Sequence, residues 1–527
     1  MSLSSLSLYH SFSRRSRYSR RRSLNLAQGS TVNRMWPWLV VLGAIGLLRP
    51  VGIPAQTIAE SGWHNVAVHQ SPLRVGLSFE TIRLPEGEPL GLLGKSLLFE
   101  VRPRMYVGPL VLSGVTGRRG GFFVLGAEGR ISRPVGPIAI DAGLAVGGGG
   151  GVAAPVGDGL VLRPSVAAWV PVAGWRLGVQ ATYAHFPSGD ISSGQFGVAL
   201  EGDELFRYAS AAHVGQRVSA MGRAGLGIDD ISVTSSRTTL RGVGSTPRTI
   251  AIVGARATRA LGQFHALEFA GGLETGGAAY GDAAGYMEVL SVIHVHVPVV
   301  SHVELGGSAA LGAGGGGAVP MGSGGLVRGS LTASLILPRQ LRLRAEVGAQ
   351  KALGSALRGM SRGVAISMPL APASRDTVHL GRVEWSPVLL HFGRGARTGG
   401  TTQSLQTMGL SIGRYASSGR YLTVQGHSAF GGAAGAYAIG LFGVGIATEG
   451  DRRWRTGVEG LIGAAGGGGV ATGGGAVAEL HAWASVRTGK DVELRMLAGA
   501  TRSRSGSLAS PVLGLGAVRA FAMPSTK

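Results

Sequence analysis

The feature that most constrains this chain is an alternation of period two, running from about Ser71 onward, that separates charged from apolar residues. In Pro137–Val146, Ile138, Ile140, Ala142, Leu144 and Val146 share one face, opposite Ala139, Asp141, Gly143 and Ala145. In Trp175–Phe186, Leu177, Val179, Ala181 and Tyr183 oppose Arg176, Gly178, Gln180 and Thr182. Further on, Leu341, Leu343, Ala345 and Val347 oppose Arg342, Arg344, Glu346 and Gly348. Near the end, Val492, Leu494, Met496 and Ala498 oppose Glu493, Arg495, Leu497 and Gly499. Helical spacing would scatter these charges over every face, whereas a strand sends successive side chains to opposite sides. These windows are therefore expected to be strands with two unlike faces.

The alternation is also repeated in phase. A glycine run occurs at Gly147–Gly151, Gly314–Gly317 and Gly466–Gly469, followed each time by a strand, a turn and a second strand. In the strand after the run, Arg163, Arg328 and Glu479 fall at matching places. Beside them Ser165, Ser330 and His481 match, while Val166, Leu331 and Ala482 match on the other face. Such self-similarity marks a repeated supersecondary unit. The copies are placed at 56–205, 206–372 and 373–527, after a basic leader and secretory signal at 1–55. Turn segments such as Pro187-Ser-Gly-Asp190, Leu337-Pro-Arg-Gln340 and Arg487-Thr-Gly-Lys490 separate strands. At about ten residues per strand, the copies hold about 18–24 strands.

Composition narrows the environment. The 91 glycines show no Gly-X-Y period, which excludes collagen, and the positive mean hydropathy excludes a disordered glycine-rich linker. With no cysteine there is neither a disulfide framework nor a thiolate metal site. The Ser/Arg-rich leader, the apolar stretch Trp36–Leu48 and the small Ala55 before Gln56 form a secretory signal. Eight of the 50 basic residues fall in 1–55, leaving 42 against 28 acids, a charge of +14. Secretion argues against nucleic acid as its partner, and anionic lipid or anionic solutes remain. No later stretch is long and apolar enough to cross a membrane as a helix.

Strands with an apolar and a polar face must dispose of their edges, and in lipid only a closed barrel does so. The pattern resembles bacterial outer-membrane β-barrel proteins, porin-like in kind, over nearly the whole mature chain. The resemblance implies an all-β, antiparallel transmembrane barrel with its apolar face toward outer-membrane lipid and its polar face inward. It also implies insertion by the barrel-assembly machinery. Such barrels end in a terminal aromatic signal, but here Phe521 is followed by Ala-Met-Pro-Ser-Thr-Lys527, so either the signal is displaced inward to Val512–Phe521 or the chain is not a standard assembly substrate. Three tandem barrels of about eight strands satisfy the same pattern. The lack of obvious linkers favours one barrel built from three internal repeats.

The expected lumen-facing residues are Arg163, Arg176, Arg328, Arg342, Arg344, Glu346, Glu479, His481 and Arg495, because an arginine on the lipid face costs about 2–4 kcal/mol at mid-membrane. Inside, the arginines either favour small anionic solutes or pair with Glu346, Glu479 and Glu493. The glycine runs lack the helix and Lys-Ser/Thr pair of a phosphate loop and are read as sites of bending or close approach. His294 and His296 share a strand face but lack a nameable third ligand. His185 and Ser188 lie near Asp190 and distantly resemble the Ser/His pair of outer-membrane lipid hydrolases. Trp169, Trp175, Trp385 and Trp454 are candidates for an interfacial girdle, which Trp483, on the polar face, fits poorly. The reading is a non-enzymatic outer-membrane barrel without cofactor or metal, a passive channel for small solutes or a structural barrel. The alternatives are a barrel-borne lipid hydrolase and a soluble extracellular glycine-rich repeat or adhesin.

Overall fold

The computed structural model describes residues 66–218, 223–242, 246–370, 378–416, 419–448 and 453–525. The expected leader and signal lie outside them. The alternating segments form long antiparallel strands, and helix among the described residues is confined to three short 3-10 turns.

The first eight strands are β1 (His69–Arg83), β2 (Pro89–Arg102), β3 (Met105–Thr116) and β4 (Phe123–Val135), then β5 (Ile138–Gly150), β6 (Leu160–Val172), β7 (Trp175–His185) and β8 (Ser192–Ser210). Each pairs with the next, and β1 returns to pair with β8 from His69↔Tyr208 to Glu80↔Gly197. A two-residue strand, β9 (Arg217–Val218), follows.

The second ring runs through β10 (Asp230–Arg241), β11 (Arg248–Phe264), β12 (Leu267–Tyr280) and β13 (Met287–Val300), then β14 (Val303–Gly315), β15 (Gly325–Ile336), β16 (Arg342–Ala352) and β17 (Arg358–Pro369). It closes by pairing β10 with β17. The third comprises β18 (Val378–Ala396), β19 (Thr402–Tyr415), β20 (Arg420–Gly431) and β21 (Ala438–Ala447), then β22 (Trp454–Gly466), β23 (Ala476–Arg487), β24 (Val492–Ser503) and β25 (Ala509–Ser525). It closes by pairing β18 with β25.

The expectation of one barrel of about 18–24 strands is therefore corrected: the described residues make three closed eight-stranded barrels. Two small links, β9 with β18 and Phe521–Ala522 with Ala209–Ser210, join the first and third rings into one hydrogen-bonded network of 17 strands. The first ring ends at Ser210, inside the segment assigned above to the second copy. A closing pair such as His69↔Tyr208 joins residues far apart in the chain. Local alternation carries no mark of where such a pairing falls.

Large apolar residues point outward, Phe196 being 86% exposed and Leu331 76%, with Val179, Val166, Val347 and Met496 also exposed. Charged residues such as Glu80 and Arg163, each 2% exposed, point inward. Eight strands enclose a space that side chains fill. At one end of the first ring the hairpins turn in two residues (Pro103-Arg104, Gly136-Pro137, Ala173-Gly174); at the other, longer loops fold back over the opening. Phe122, Ala154, Val156, Phe186 and Ile191 from these loops pack on Ile82, Leu90 and Leu92 inside the barrel. Val319, Met321 and Leu357 do the same in the second ring, and Val470 and Leu508 in the third. Each lumen is thus sealed by an apolar plug at its long-loop end.

The glycine runs lie where barrel meets barrel. Gly159, Gly324 and Gly475 close the loops that follow the runs, with φ of +93°, +92° and +96°. A Cβ at Gly159 would lie 2.6 Å from the carbonyl oxygen of Ala429 on β20; at Gly324, 2.4 Å from that of Gly114 on β3; at Gly475, 2.0 Å from that of Ala278 on β12. The first barrel thus leans on the third, the third on the second and the second on the first. Each contact uses the third strand of its neighbour. The contact is head-to-tail and closes after three, as in a cyclic trimer. Apolar packing of Leu77, Leu93 and Phe123 with Met287, Val289 and Ala313 supports one junction. Aromatic contacts of Phe99 with Trp385 (5.2 Å) and Phe206 with Phe521 (5.3 Å) support another.

Candidate functional site: three charged lumens

Below each plug the inward faces supply mixed charges. In the first barrel Arg163, from β6, reaches across to Glu80 on β1 with two hydrogen bonds of 2.8 and 2.7 Å. Thr182 and Gln180 donate to the same carboxylate at 2.8 and 3.3 Å. Arg74 pairs with Asp141 at 3.0 Å and lies over the Tyr106 ring at 3.7 Å. Arg130 bridges Glu128 (2.7 Å) and Glu201, and Arg176 lies 3.4 Å from Glu201 and 2.7 Å from Asp203.

The second barrel repeats the scheme with other residues. Arg256 joins Glu274 (2.8 Å) to Glu346 (2.6 Å), and Arg328 joins Glu274 (2.9 Å) to Glu288. Arg342 lies 3.5 Å from Glu304 and 3.8 Å from Asp230, and Arg344 donates to Ser334 Oγ at 3.2 Å. A cavity of about 20 Å³ remains between Arg256, Glu274, Glu288, Arg328 and Glu346. It has room for water and polar groups to hold it, and is far too small for a solute path.

In the third barrel Glu384 accepts from Arg455 (2.6 Å), Arg495 (2.7 Å), Arg382 and the Tyr415 hydroxyl (3.2 Å). Glu493 receives Arg382 and Arg455, together with Ser485 Oγ at 2.6 Å. His481 lies between two carboxylates, its Nδ1 3.3 Å from Glu459 and its Nε2 3.0 Å from Glu479. Tyr421 and Gln425 also donate to Glu459, each at 2.9 Å. Trp483 turns inward, its indole N–H donating to Tyr421 Oη at 2.8 Å, and the Arg495 guanidinium lies 3.9 Å from its ring centre.

The nine residues singled out from the sequence thus fall into three separate interiors. Arg163 and Arg176 lie in the first, Arg328, Arg342, Arg344 and Glu346 in the second, and Glu479, His481 and Arg495 in the third. Of the suggested pairings, Glu346 takes Arg256, Glu493 takes Arg382 and Arg455 with Arg495 4.0 Å away, and Glu479 takes His481. Sequence reasoning does not single out Arg74, Glu80, Glu128, Arg130, Arg256, Glu274, Arg382, Glu384 and Arg455. Their inward phase is readable from the alternation, but their partners sit on strands distant in sequence. Chemically, these networks cross-link opposite walls of each barrel. Breaking one buried pair by removing a single partner typically costs about 3–5 kcal/mol.

Other sequence candidates resolve simply. His185 Nδ1 contacts Ser192 Oγ at 2.8 Å, while Ser188 Oγ accepts from the Asp158 backbone N–H at 2.9 Å. The loop therefore does not assemble His185 with Ser188. His294 and His296 both point inward, His296 lying 3.0 Å from Glu268. No group of three or more potential metal ligands occurs among the described residues. Trp169 is buried inside the first barrel rather than in an interfacial girdle, because it shares the parity of Arg163 on β6.

No protein-family model matches this chain, and no curated protein matches it. Among solved structures, it is similar to the FrpB iron transporter from Neisseria meningitidis, at 8% identity and TM-score 0.27, covering 86% of this chain and 81% of that one. It is also similar to the ferric enterobactin receptor PfeA from Pseudomonas aeruginosa, at 8% identity and TM-score 0.28, covering 85% and 81%. The siderophore receptor PirA from Acinetobacter baumannii gives 8% identity and TM-score 0.27, covering 87% and 81%. Scores this low carry no argument about what this chain does.

Proposed function

We propose that this chain is a non-enzymatic protein of the bacterial outer membrane, a closed body of three side-by-side β-barrels rather than a passive channel. The observation that carries this reading is the inverted distribution of polarity, with Arg–carboxylate networks inside each ring and exposed Phe, Leu, Val and Met outside. A water-soluble protein would hide the second set, whereas a bilayer favours it. The expectation of passage for small anionic solutes is set aside, because the lumens are filled by ion pairs and capped by apolar plugs.

The three rings are read as copies of one unit, on the strength of Arg163, Arg328 and Glu479 occupying the sixth strand of each ring. The short turns face the periplasm and the long loops the exterior, the usual polarity of such barrels. The barrel-assembly machinery is the expected insertion partner. Phe521 lies in the aromatic junction between the first and third rings. The test is fractionation with a gel-mobility assay. The protein is expected in the outer-membrane fraction and to migrate differently before and after boiling. Recovery from the soluble periplasm or medium, with unchanged mobility, would overturn the reading.

A further inference from the structure

The outward face of the second barrel carries a group of five cations, whereas the matching corner of the third carries Arg394 and Arg502 with no cation on the eighth strand between them. On β10, Arg237 and Arg241 point outward; on β17, Arg358 and Arg362; on β16, Lys351; all five are exposed. The pairing registers place them side by side. Arg358 stands directly between Arg241 and Lys351, and Arg362 stands directly opposite Arg237. Like charges directly opposite on neighbouring strands repel at about 5 Å. The outward residues of β10, β16 and β17 include no acid to offset them.

The corresponding eighth-strand positions, counted from the loop, are Ser192 and Phe196 in the first barrel and Ala509 and Leu513 in the third. The contacts of the second barrel with its neighbours run through β11 to β15, which leaves this face open. Nearer the turn end the same strands present Val233, Leu343, Val364 and Ile366, all exposed. The cations thus sit at the long-loop edge of the apolar band, over about 13 Å of strand between Arg358 and Arg362.

We propose that this patch binds the phosphate-bearing headgroup of a membrane lipid in the leaflet facing the long loops. The inference rests on the membrane reading above. Two rows of unpaired cations at the edge of a lipid-facing band relieve their repulsion by taking up anionic phosphates. The acyl chains then lie along Val364, Ile366 and Leu343 below. Free phosphate would satisfy the charges but leave that apolar track without a role.

The full chain, purified in zwitterionic detergent, can be titrated with lipid A, a bisphosphorylated glycolipid, and read by native mass spectrometry. The expected result is a lipid A adduct that phosphatidylcholine does not form. Replacing Arg358→Gln and Arg362→Gln together should weaken it roughly 30-fold, the corresponding lysine changes should largely preserve it, and Arg502→Gln on the third barrel should leave it unchanged. If the double variant loses its heat-dependent gel shift, Lys351→Gln carries the same test, with about a fivefold loss expected. An adduct that survives these glutamine changes, or equal binding of phosphatidylcholine, would overturn the proposal. So would abolition of the wild-type adduct by inorganic phosphate alone, which would make the patch a free-phosphate site. Absence of a heat shift in the wild type would instead count against the membrane reading.

Discussion

The first and third barrels reach the same end by different chemistry. In the first, Arg74, Arg130, Arg163 and Arg176 face Glu80, Glu128, Asp141 and Glu201. In the third, only Arg382, Arg455 and Arg495 face Glu384, Glu459, Glu479 and Glu493, and His481 stands where a fourth cation would be needed. The sixth-strand arginine of the first barrel, Arg163, corresponds to Glu479 in the third. What the fold preserves is therefore the side of the strand and the mutual engagement of the charges, not the identity of any one residue. A buried network tolerates exchange of its members provided each donor and acceptor keeps a partner.

Five substitutions, the last read as a function of pH, test that correspondence. The largest effect is expected for Glu384→Ala, which leaves three guanidinium groups to share the single carboxylate of Glu493. About 3–5 kcal/mol should be lost, read as a shift in the denaturant midpoint of the gel-mobility transition. Glu80→Ala in the first barrel should fall in the same range, since Arg163, Gln180 and Thr182 all lose their acceptor. If only one of the two matters, the barrels do not share a common logic.

Turning the contrast outward, Leu331→Lys on the lipid face should cost about 2–4 kcal/mol of bilayer stability if this position lies near the midplane. The change should cost little if the surface faces water. Smaller again, His481→Ala should cost about 1–3 kcal/mol by leaving Glu459 and Glu479 facing each other. The measurement is the same unfolding transition, and an unchanged midpoint would mean that the histidine does not stand in for an arginine.

The smallest effect lies outside the barrels, at Glu88 in the loop between β1 and β2. Its hydrogen bond to Arg119 (2.7 Å) holds its carboxyl below the usual glutamate value. The sign follows from linkage: a lowered folded-state value contributes stability above the unfolded value, which is lost as pH falls through the folded one. Glu88→Gln should accordingly flatten a slight loss of stability on acidification below the ordinary glutamate range, and do nothing at neutral pH beyond the weak effect of an exposed pair.

Much of this is readable from the chain. The parity of Leu177, Val179 and Tyr183 against Gln180 and Thr182 assigns outward and inward faces by itself, because side chains alternate without exception along an unbroken strand. The same parity puts Trp483 on the polar face. It holds for Trp169 too, which stands an even number of residues from Arg163. Closure is not legible. The pairing of β1 with β8, or β18 with β25, is a contact between distant segments, and the three rings and a single large ring share the same local pattern. Nor is the role of the glycine runs, whose companions Gly159, Gly324 and Gly475 meet the carbonyls of a neighbouring barrel. Glycine frequency marks a close approach without saying to what. The ion-pair partners are hidden for the same reason: Arg163 and Glu80 are joined across the lumen, not along the strand.

The central claim is that three small barrels sit in the membrane with their lumens shut, and planar-bilayer recording of the purified, heat-modifiable chain tests it most directly. Insertion without discrete conductance steps is expected at neutral pH across a range of voltages and salts. Uniform, repeated openings, above all openings in groups of three, would contradict it.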